Sequence, residues 1–138
     1  MADEAVLVYQ IALPISYTVD NTTGIEKGAV LKLSDPMTAA AVAANDDMVA
    51  GIAASEKIAN DGKIKLGVYR EGFFKMVMSG NVTAGDPVAC VAGMNRVYSV
   101  VGSLTLSGSR ILGVAKETAA NGETALVELR PSFGFVAV

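Results

Sequence analysis

DGKIKLGV, residues 61–68, is the stretch of the chain that decides the fold class. Asp61-Gly62 is a turn signal, and the residues after it alternate between polar and apolar side chains. That period of two is typical of a β-strand with one face buried. Asn121-Gly122 repeats the arrangement before the alternating segment 124–129. These two stretches predict a mainly β fold.

Short strand-like segments recur on both sides of these two stretches. Turn signals at residues 79–81 and 93–95 separate several of them. Many short strands at close spacing are typical of a small barrel or sandwich. The further predicted strands are residues 29–33, 49–53, 73–78, 87–91, 96–101 and 111–115.

Residues 36–44, PMTAAAVAA, are consistent with two conformations. Asp35 as N-cap, Pro36 as first helical residue and the alanines favour a short helix. A helix of nine residues is marginal without packing, and a strand over residues 38–43 fits the repeat described next. We favour the strand over the helix.

The chain contains a weak internal duplication, which predicts two similar β-meanders closing one core. In each copy a glycine opens a strand, a Gly-[Ile/Val]-Ala strand follows, and an Asn-containing glycine turn leads into the last strand. The predicted organisation is an extended N-terminal arm at 1–23, a β domain at 24–131 with copies at about 24–79 and 80–131, and an apolar C-terminal tail at 132–138. The predicted fold class is therefore a small β-barrel or sandwich-like domain.

Composition excludes several classes of function. The 138 residues are 51% hydrophobic and 18% charged, which is the opposite of a disordered chain. The chain has no His and one Cys, so imidazole-dependent nucleophilic catalysis and Cys/His zinc sites are excluded. We expect Cys90 to be a buried small hydrophobe and Asp46-Asp47 to form a solvated turn.

No motif for chemistry stands out in the sequence. The phosphate-binding glycine motifs and the calcium-loop pattern do not occur, and a net charge of −3 argues against a nucleic-acid partner. No apolar run is long enough for a membrane span, and acidic residues at the start argue against an export signal. We predict no enzymatic activity and no catalytic, cofactor-binding or metal-binding residues, and a protein made in the cytoplasm.

Both ends of the chain are apolar. They lie outside the duplicated part, and two interpretations stay open: ordinary strands of the core, or segments that pack on other chains. The high apolar content also favours contact with another subunit. The candidate binding residues are Val6, Val8, Tyr9, Ile11 and Leu13 in the N-terminal arm, and Phe133, Phe135, Val136 and Val138 in the tail.

The order of the short glycine motifs over residues 24–131 resembles the capsid decoration (cement) proteins of tailed bacteriophages. The matching stretches are GAVLKL from Gly28, AGDPV from Ala84, ILGVA from Ile111 and NGETA from Asn121. The resemblance implies a mainly β protein without enzymatic activity that stands as a homotrimer on the outer surface of a phage head. It also implies a virion location, synthesis in the host cytoplasm, the major capsid protein as partner and an N-terminal arm on the capsid.

A second class of function stays open beside this one. A small β-barrel can also bind a small molecule or a glycan, which requires a cavity lined by convergent polar groups. A trimer in solution would favour the structural protein, and a monomer with a tightly bound small ligand would favour the binding module.

Overall fold

The computed structural model describes residues 3–101 and 110–131, and these residues confirm the mainly β prediction. They form eleven strands and no α-helix. No helix suited in length and hydropathy to crossing a membrane occurs among them. The strands are β1 (Val6–Gln10), β2 (Ile15–Thr18), β3 (Val30–Asp35), β4 (Thr38–Ala41), β5 (Val49–Ala53), β6 (Lys65–Tyr69), β7 (Gly72–Met78), β8 (Pro87–Cys90), β9 (Arg96–Ser99), β10 (Gly113–Ala115) and β11 (Thr124–Leu129).

The first barrel closes in the order β2-β4-β3-β5-β6. Its neighbouring strands are antiparallel except at the seam between β2 and β4, which is parallel and consists of the single pair Thr18–Thr38. Alternate residues of the strands point inward, as the period of two predicts. Buried side chains fill the interior, among them Tyr17, Leu31 and Val68.

The second barrel closes in the order β7-β11-β10-β8-β9, again with a parallel seam, here between β7 and β9. The strand β1 adds to β7 outside this ring. Every second residue of β7 is buried from Gly72 to Met78, so Phe74, Met76 and Met78 enter a core with Val127 and Leu129.

The two barrels have the same topology, which gives the duplication a structural meaning. β2, β3, β4, β5 and β6 correspond in order to β7, β8, β9, β10 and β11. The isolated bridge between Ile25 and Lys57 also corresponds to the bridge between Val82 and Ala119. The strand membership differs from the predicted limits of 24–79 and 80–131, because β2 precedes residue 24 and β7 precedes residue 80.

The repeated Gly-[Ile/Val]-Ala motif marks the same close approach in each barrel. A Cβ at Gly51 would overlap the carbonyl oxygen of Tyr69 on β6, and a Cβ at Gly113 would overlap that of Glu128 on β11. Only glycine lets the two backbones come this close. The motif therefore reflects strand packing in both copies.

The segment 36–44 contains the strand β4 and no helix, which confirms the favoured prediction. Met37 adopts a positive φ of 50°, which breaks the helix after Pro36 and turns the chain back. Ala39, Ala40 and Ala41 then pair with β3. Pairing with a neighbouring strand outweighs the helix propensity of alanine here.

Residues 42–48 form a loop of the first barrel that is hydrogen-bonded to the second barrel. The Tyr98 hydroxyl donates to the Asp46 carboxylate, and Arg110 donates to the Asp46 carbonyl oxygen at 2.7 Å. Asn45 accepts a bond from the backbone of Ala92 at 2.7 Å. The Asp46-Asp47 turn is therefore part of the contact between the barrels, because Asp46 accepts bonds from two residues of the second barrel.

Candidate binding surface

The N-terminal edge is the exposed apolar surface formed by Val6, Val8, Tyr9, Ile11, Leu13 and Ile15. These side chains are between 41% and 76% exposed, and they include all five candidate residues of the N-terminal arm. Sequence analysis missed Ile15, although the spacing of Ile11, Leu13 and Ile15 continues the same alternation. Six exposed apolar side chains within ten residues form a candidate protein-binding surface.

The arm is extended, and its strand β1 lies along β7 of the second barrel. The register pairs Val6 with Lys75 and Gln10 with Gly72, and the Tyr9 and Phe73 rings meet edge-to-face with centroids 5.8 Å apart. Within residues 3–101 and 110–131, β1 has a strand neighbour on one side only. An apolar edge strand of this kind is a template for pairing with another chain.

The beginning of the arm is held in place by residues of both barrels. Asn95 donates to the carbonyl oxygens of Asp3 and Gly28 at 2.9 and 2.8 Å, and Arg96 forms an ion pair with Asp3 at 2.8 Å. The amide of Ala5 donates to the Gly28 carbonyl at 3.1 Å. Gly28 has φ of 83° and no room for a Cβ beside Ala5. The N-terminal edge is therefore a fixed surface of the molecule.

An inter-barrel groove runs between the N-terminal edge and the first barrel, with a volume of about 320 Å³. Leu7 of β1 and Phe74 of β7 line one side of it, and Ala54 and Tyr69 of the first barrel line the other. The Tyr69 and Phe74 rings meet edge-to-face with centroids 5.6 Å apart. The charged residues Glu4 and Lys27 also line the groove.

The tail candidates Phe133, Phe135, Val136 and Val138 lie outside the described residues. The last described residue is Pro131, whose carbonyl oxygen accepts a bond from Arg70 at 3.5 Å. Arg70 also donates to the hydroxyl of Tyr17 at 2.9 Å. These bonds place Pro131 next to Arg70, the chain neighbour of the groove residue Tyr69.

Cys90 and Tyr98 both have environments that disfavour ionisation. Cys90 is buried, as predicted, and burial raises the pKa of its thiol. Burial, together with the hydrogen bond to Asp46, raises the pKa of the Tyr98 hydroxyl well above its usual range. Among the residues that the structure describes, no group of three or more Cys, Asp or Glu side chains is arranged to hold a metal ion.

Lys57 is a residue that sequence analysis missed. Its ammonium group is fully buried and donates to the carbonyl oxygens of Asn21 and Ile58 at 2.8 and 3.1 Å, and to the Asp61 carboxylate at 3.2 Å. A lysine in the segment SEKIAND gives no sequence signal of burial, because lysine is almost always exposed. Its three acceptors identify it as a structural residue of the first barrel.

The fold and the surface together define a tandem protein of two five-stranded β-barrels with an apolar edge strand at its N-terminus. Its fold is similar to the crystal structure of the head fiber gp8.5 N base of bacteriophage phi29. That likeness has a TM-score of 0.53 and 14% sequence identity, and it covers 83% of this chain and 92% of the other. No protein-family model and no curated protein sequence matches the chain. At this identity the likeness shows the shared fold.

Proposed function

We propose that this protein is a structural component of a tailed-phage head, where it binds the outer surface as a cement protein and stabilises the capsid. The observation that carries the proposal is the fixed, uncharged N-terminal edge on a fold that is similar to the base of a phage head fiber. The partner is the major capsid protein, the location is the virion, and the chain is made in the host cytoplasm without enzymatic activity or a cofactor.

The N-terminal edge suits attachment to a protein surface in two ways. Its exposed side chains offer apolar contact, and the free side of β1 offers main-chain hydrogen bonds to an extended segment of the partner. Burying about 400 Å² of apolar surface contributes on the order of 10 kcal/mol before the costs of association. Because β1 is already ordered on β7, the entropy of ordering it is not lost again on binding.

The proposed state on the capsid is a homotrimer. Three N-terminal edges on one assembly make the second and third contacts intramolecular, which raises the avidity by roughly 10²–10⁴ without any new contact. Sedimentation equilibrium at tens of micromolar tests the trimer in solution. A clean monomer there would contradict the solution trimer while leaving attachment to be tested separately.

The double substitution Tyr9→Lys/Ile11→Lys tests attachment without deleting a strand. Both side chains are exposed, so we expect the β spectrum and the oligomeric state to be unchanged. Two uncompensated charges in an apolar contact are expected to weaken binding by on the order of 100-fold, since about 1.4 kcal/mol is a factor of ten. The measurement is co-sedimentation with undecorated heads of the phage that encodes the chain.

The matched control places the same charges elsewhere on the molecule. Ile58 and Ile64 are equally exposed on the first barrel, so Ile58→Lys/Ile64→Lys is expected to decorate heads like the wild type. Full decoration by the Tyr9→Lys/Ile11→Lys protein would contradict attachment through the N-terminal edge. Loss of decoration by both proteins would point to a general effect of charge.

A further inference from the structure

The first barrel has a strand edge whose counterpart in the second barrel is covered by β1. β7 pairs with β9 only at its last two residues, and β1 occupies the rest of that side, opposite residues 72–75. In the first barrel β2 pairs with β4 only at Thr18. We propose that the remaining part of this side, here called the β2 edge (residues 13–16), binds an extended, uncharged segment of the partner protein as an added strand.

The register of the strands shows which residues of the two barrels correspond. Thr18 of β2 pairs with the first residues of β4 and β6, and Val77 of β7 pairs with the first residues of β9 and β11. Thr18 therefore corresponds to Val77. Two residues earlier in each strand, Ser16 corresponds to Lys75, which pairs with Val6 of β1.

The backbone of Ser16 has the orientation that an added strand requires. The amide of Ala54 donates to the carbonyl oxygen of Gly67 at 3.0 Å, so Gly67 directs its own N–H and C=O away from β2. Ser16 faces Gly67 across the antiparallel pair and therefore directs its N–H and C=O to the opposite, free side. Ser16 is exposed, and within residues 3–101 and 110–131 these two groups make no hydrogen bond. Such unpaired groups are a template for another strand.

Exposed apolar side chains surround the β2 edge. Leu13 and Ile15 belong to it, and the exposed Met37 lies beside it, since the Met37 carbonyl oxygen accepts from the amide of Thr18 at 2.8 Å. The strand that fills the corresponding place in the second barrel, β1 with the sequence VLVYQ, is uncharged as well. A segment with apolar side chains therefore fits the β2 edge, with main-chain pairing for affinity and side-chain contacts for specificity.

The seam residues indicate the charge of the segment. In the second barrel Arg96 forms an ion pair at 2.8 Å with Asp3, which precedes β1, and Asn95 donates to the Asp3 carbonyl oxygen at 2.9 Å. Thr38 begins β4 as Arg96 begins β9, so Thr38 and Met37 hold these two places in the first barrel. Neither side chain is charged. An acidic residue of the segment would lose water there without gaining an ionic partner.

Pro14 limits the pairing to a short ladder. It corresponds to Phe73, which pairs with Tyr9 of β1, but proline has no N–H to donate. A short ladder binds weakly by itself, which suits an assembly in which several copies bind one head. The identity of the partner rests on the proposed function, whereas the β2 edge rests on the equivalence of the two barrels.

Amide hydrogen exchange of the full chain, followed by NMR, tests the β2 edge without phage heads. The probe is a peptide with the sequence of residues 5–11, AVLVYQI, followed by two lysines for solubility. In the free protein we expect the Ser16 amide to exchange at least about tenfold faster than the Lys75 amide, which faces β1. At millimolar peptide the Ser16 amide is expected to shift and to exchange several-fold more slowly, while the Lys75 amide stays unchanged.

The matched control is the same peptide with Val6→Pro. It lacks the amide at the position that pairs with Lys75 in the second barrel, so we expect it to leave the Ser16 amide unprotected. Equal effects of the two peptides would overturn the proposal. A shift at Lys75 instead of Ser16 would show that the peptide displaces β1, and would overturn it as well.

Decoration of heads by two variants of Ser16 tests whether the partner uses the β2 edge. Ser16→Pro removes the free amide, Ser16→Ala keeps it, and both are expected to retain the β spectrum because Ser16 directs no bond to β6. We expect Ser16→Pro to decorate about tenfold more weakly than Ser16→Ala. Equal decoration by the two variants would overturn the proposal while leaving attachment through Tyr9 and Ile11 intact. A wild type that protects Ser16 with the peptide but does not decorate heads would contradict the proposed function alone.

Discussion

The two barrels share one topology but stabilise the same position by different means. At the isolated bridge beside the last strand, the first barrel has Lys57 and the second has Ala119. Lys57 holds the loop at Asn21 and the turn at Asp61 through its buried ammonium group. In the second barrel Asn121 accepts from the amide of Gly80 at 2.8 Å and Asn81 from that of Asn121 at 3.1 Å. The first barrel has a similar link, in which Asn21 accepts from the amide of Gly62 at 2.6 Å, so the buried ammonium group is what the first barrel adds.

The second barrel has more residue pairs at its parallel seam than the first, and its first strand contributes more large side chains to the core. One residue pair joins the parallel seam of the first barrel, and two pairs join that of the second. The core of the second barrel contains Phe74, Met76 and Met78 on one strand, whereas β2 contributes Tyr17 alone to the first barrel's core. The difference teaches that turns and close backbone contacts specify this topology. The side chains that fill the core can differ between two barrels of the same topology.

Removing the buried ammonium is expected to produce the largest change in stability. Lys57→Ala removes the buried ammonium group that donates to Asn21, Ile58 and Asp61, so we expect a loss of about 3 kcal/mol in the free energy of unfolding. Lys75→Ala is the matched control, since its ion pair with Glu117 is exposed and is worth about 1 kcal/mol or less. Urea unfolding measures both. Equal losses would show that Lys57 is not a structural support of the first barrel.

The two glycines of the repeated motif are expected to give the next largest effects. Gly51→Ala and Gly113→Ala each force a Cβ against a backbone carbonyl, which is expected to cost about 1–2 kcal/mol by overpacking. Gly51 also has φ of 152°, which strains any other residue. Gly51→Ala is therefore expected to lose about 1 kcal/mol more in the free energy of unfolding than Gly113→Ala. Gly67→Ala, which meets only Pro14 and Ala54 side chains, serves as the control in thermal and urea unfolding. A neutral Gly113→Ala would refute the close-approach explanation of the motif.

The contact between the barrels can be tested through Tyr98. Burial and the bond to Asp46 raise its pKa, so its contribution to stability is present below the ordinary tyrosine pKa of about 10 and is lost as the pH rises above it. We expect Tyr98→Phe to be about 1 kcal/mol less stable than the wild type at neutral pH, with the difference shrinking in alkali. Unfolding midpoints across that pH range measure it. A difference independent of pH would contradict the role of the hydroxyl.

The smallest expected effect is the loss of the stability that Asp61 contributes when the pH is lowered. The backbone amide of Lys63, together with the Lys57 ammonium, lowers the pKa of Asp61. Its contribution is therefore present above the ordinary carboxyl pKa of about 4 and is lost as the pH falls through the lowered value. We expect the stability difference between the wild type and Asp61→Asn to shrink in acid. Unfolding midpoints at neutral and acidic pH check this, and a gap that widens in acid would refute it.

Local patterns predicted most of the strands, because turn signals and alternation are local properties. The strand Val49–Ala53 was predicted at its exact bounds, and the alternating segment 63–68 became β6. The partners of the strands could not be predicted in the same way. β2 and β7 occupy equivalent places, yet ISYT and GFFKMVM have no similarity that reveals it.

The sequence named the residues of the candidate surface, but it did not predict which strand and which loops they contact. The apolar composition of the arm named Val6, Val8 and Tyr9 as candidates but left a core strand open, and their exposure is a finding of the structure. Pairing of β1 with β7 joins residues more than sixty positions apart. The bonds from Asn95 to the arm depend on the turn between β8 and β9 reaching the first barrel. Such long-range contacts leave no periodic signal in the sequence.

The place of β1 also determines how the molecule bears force. β1 and β11 are both antiparallel to β7 and lie on opposite sides of it, so Val6 and Leu129 are at opposite ends of one three-stranded unit. A pull on the two ends of the chain shears both ladders, loading their hydrogen bonds together rather than one after another. The whole first barrel lies between Gln10 and Gly72 and carries no tension while the β1–β7 ladder holds. Single-molecule stretching should therefore show one high-force event that precedes the extension of the first barrel.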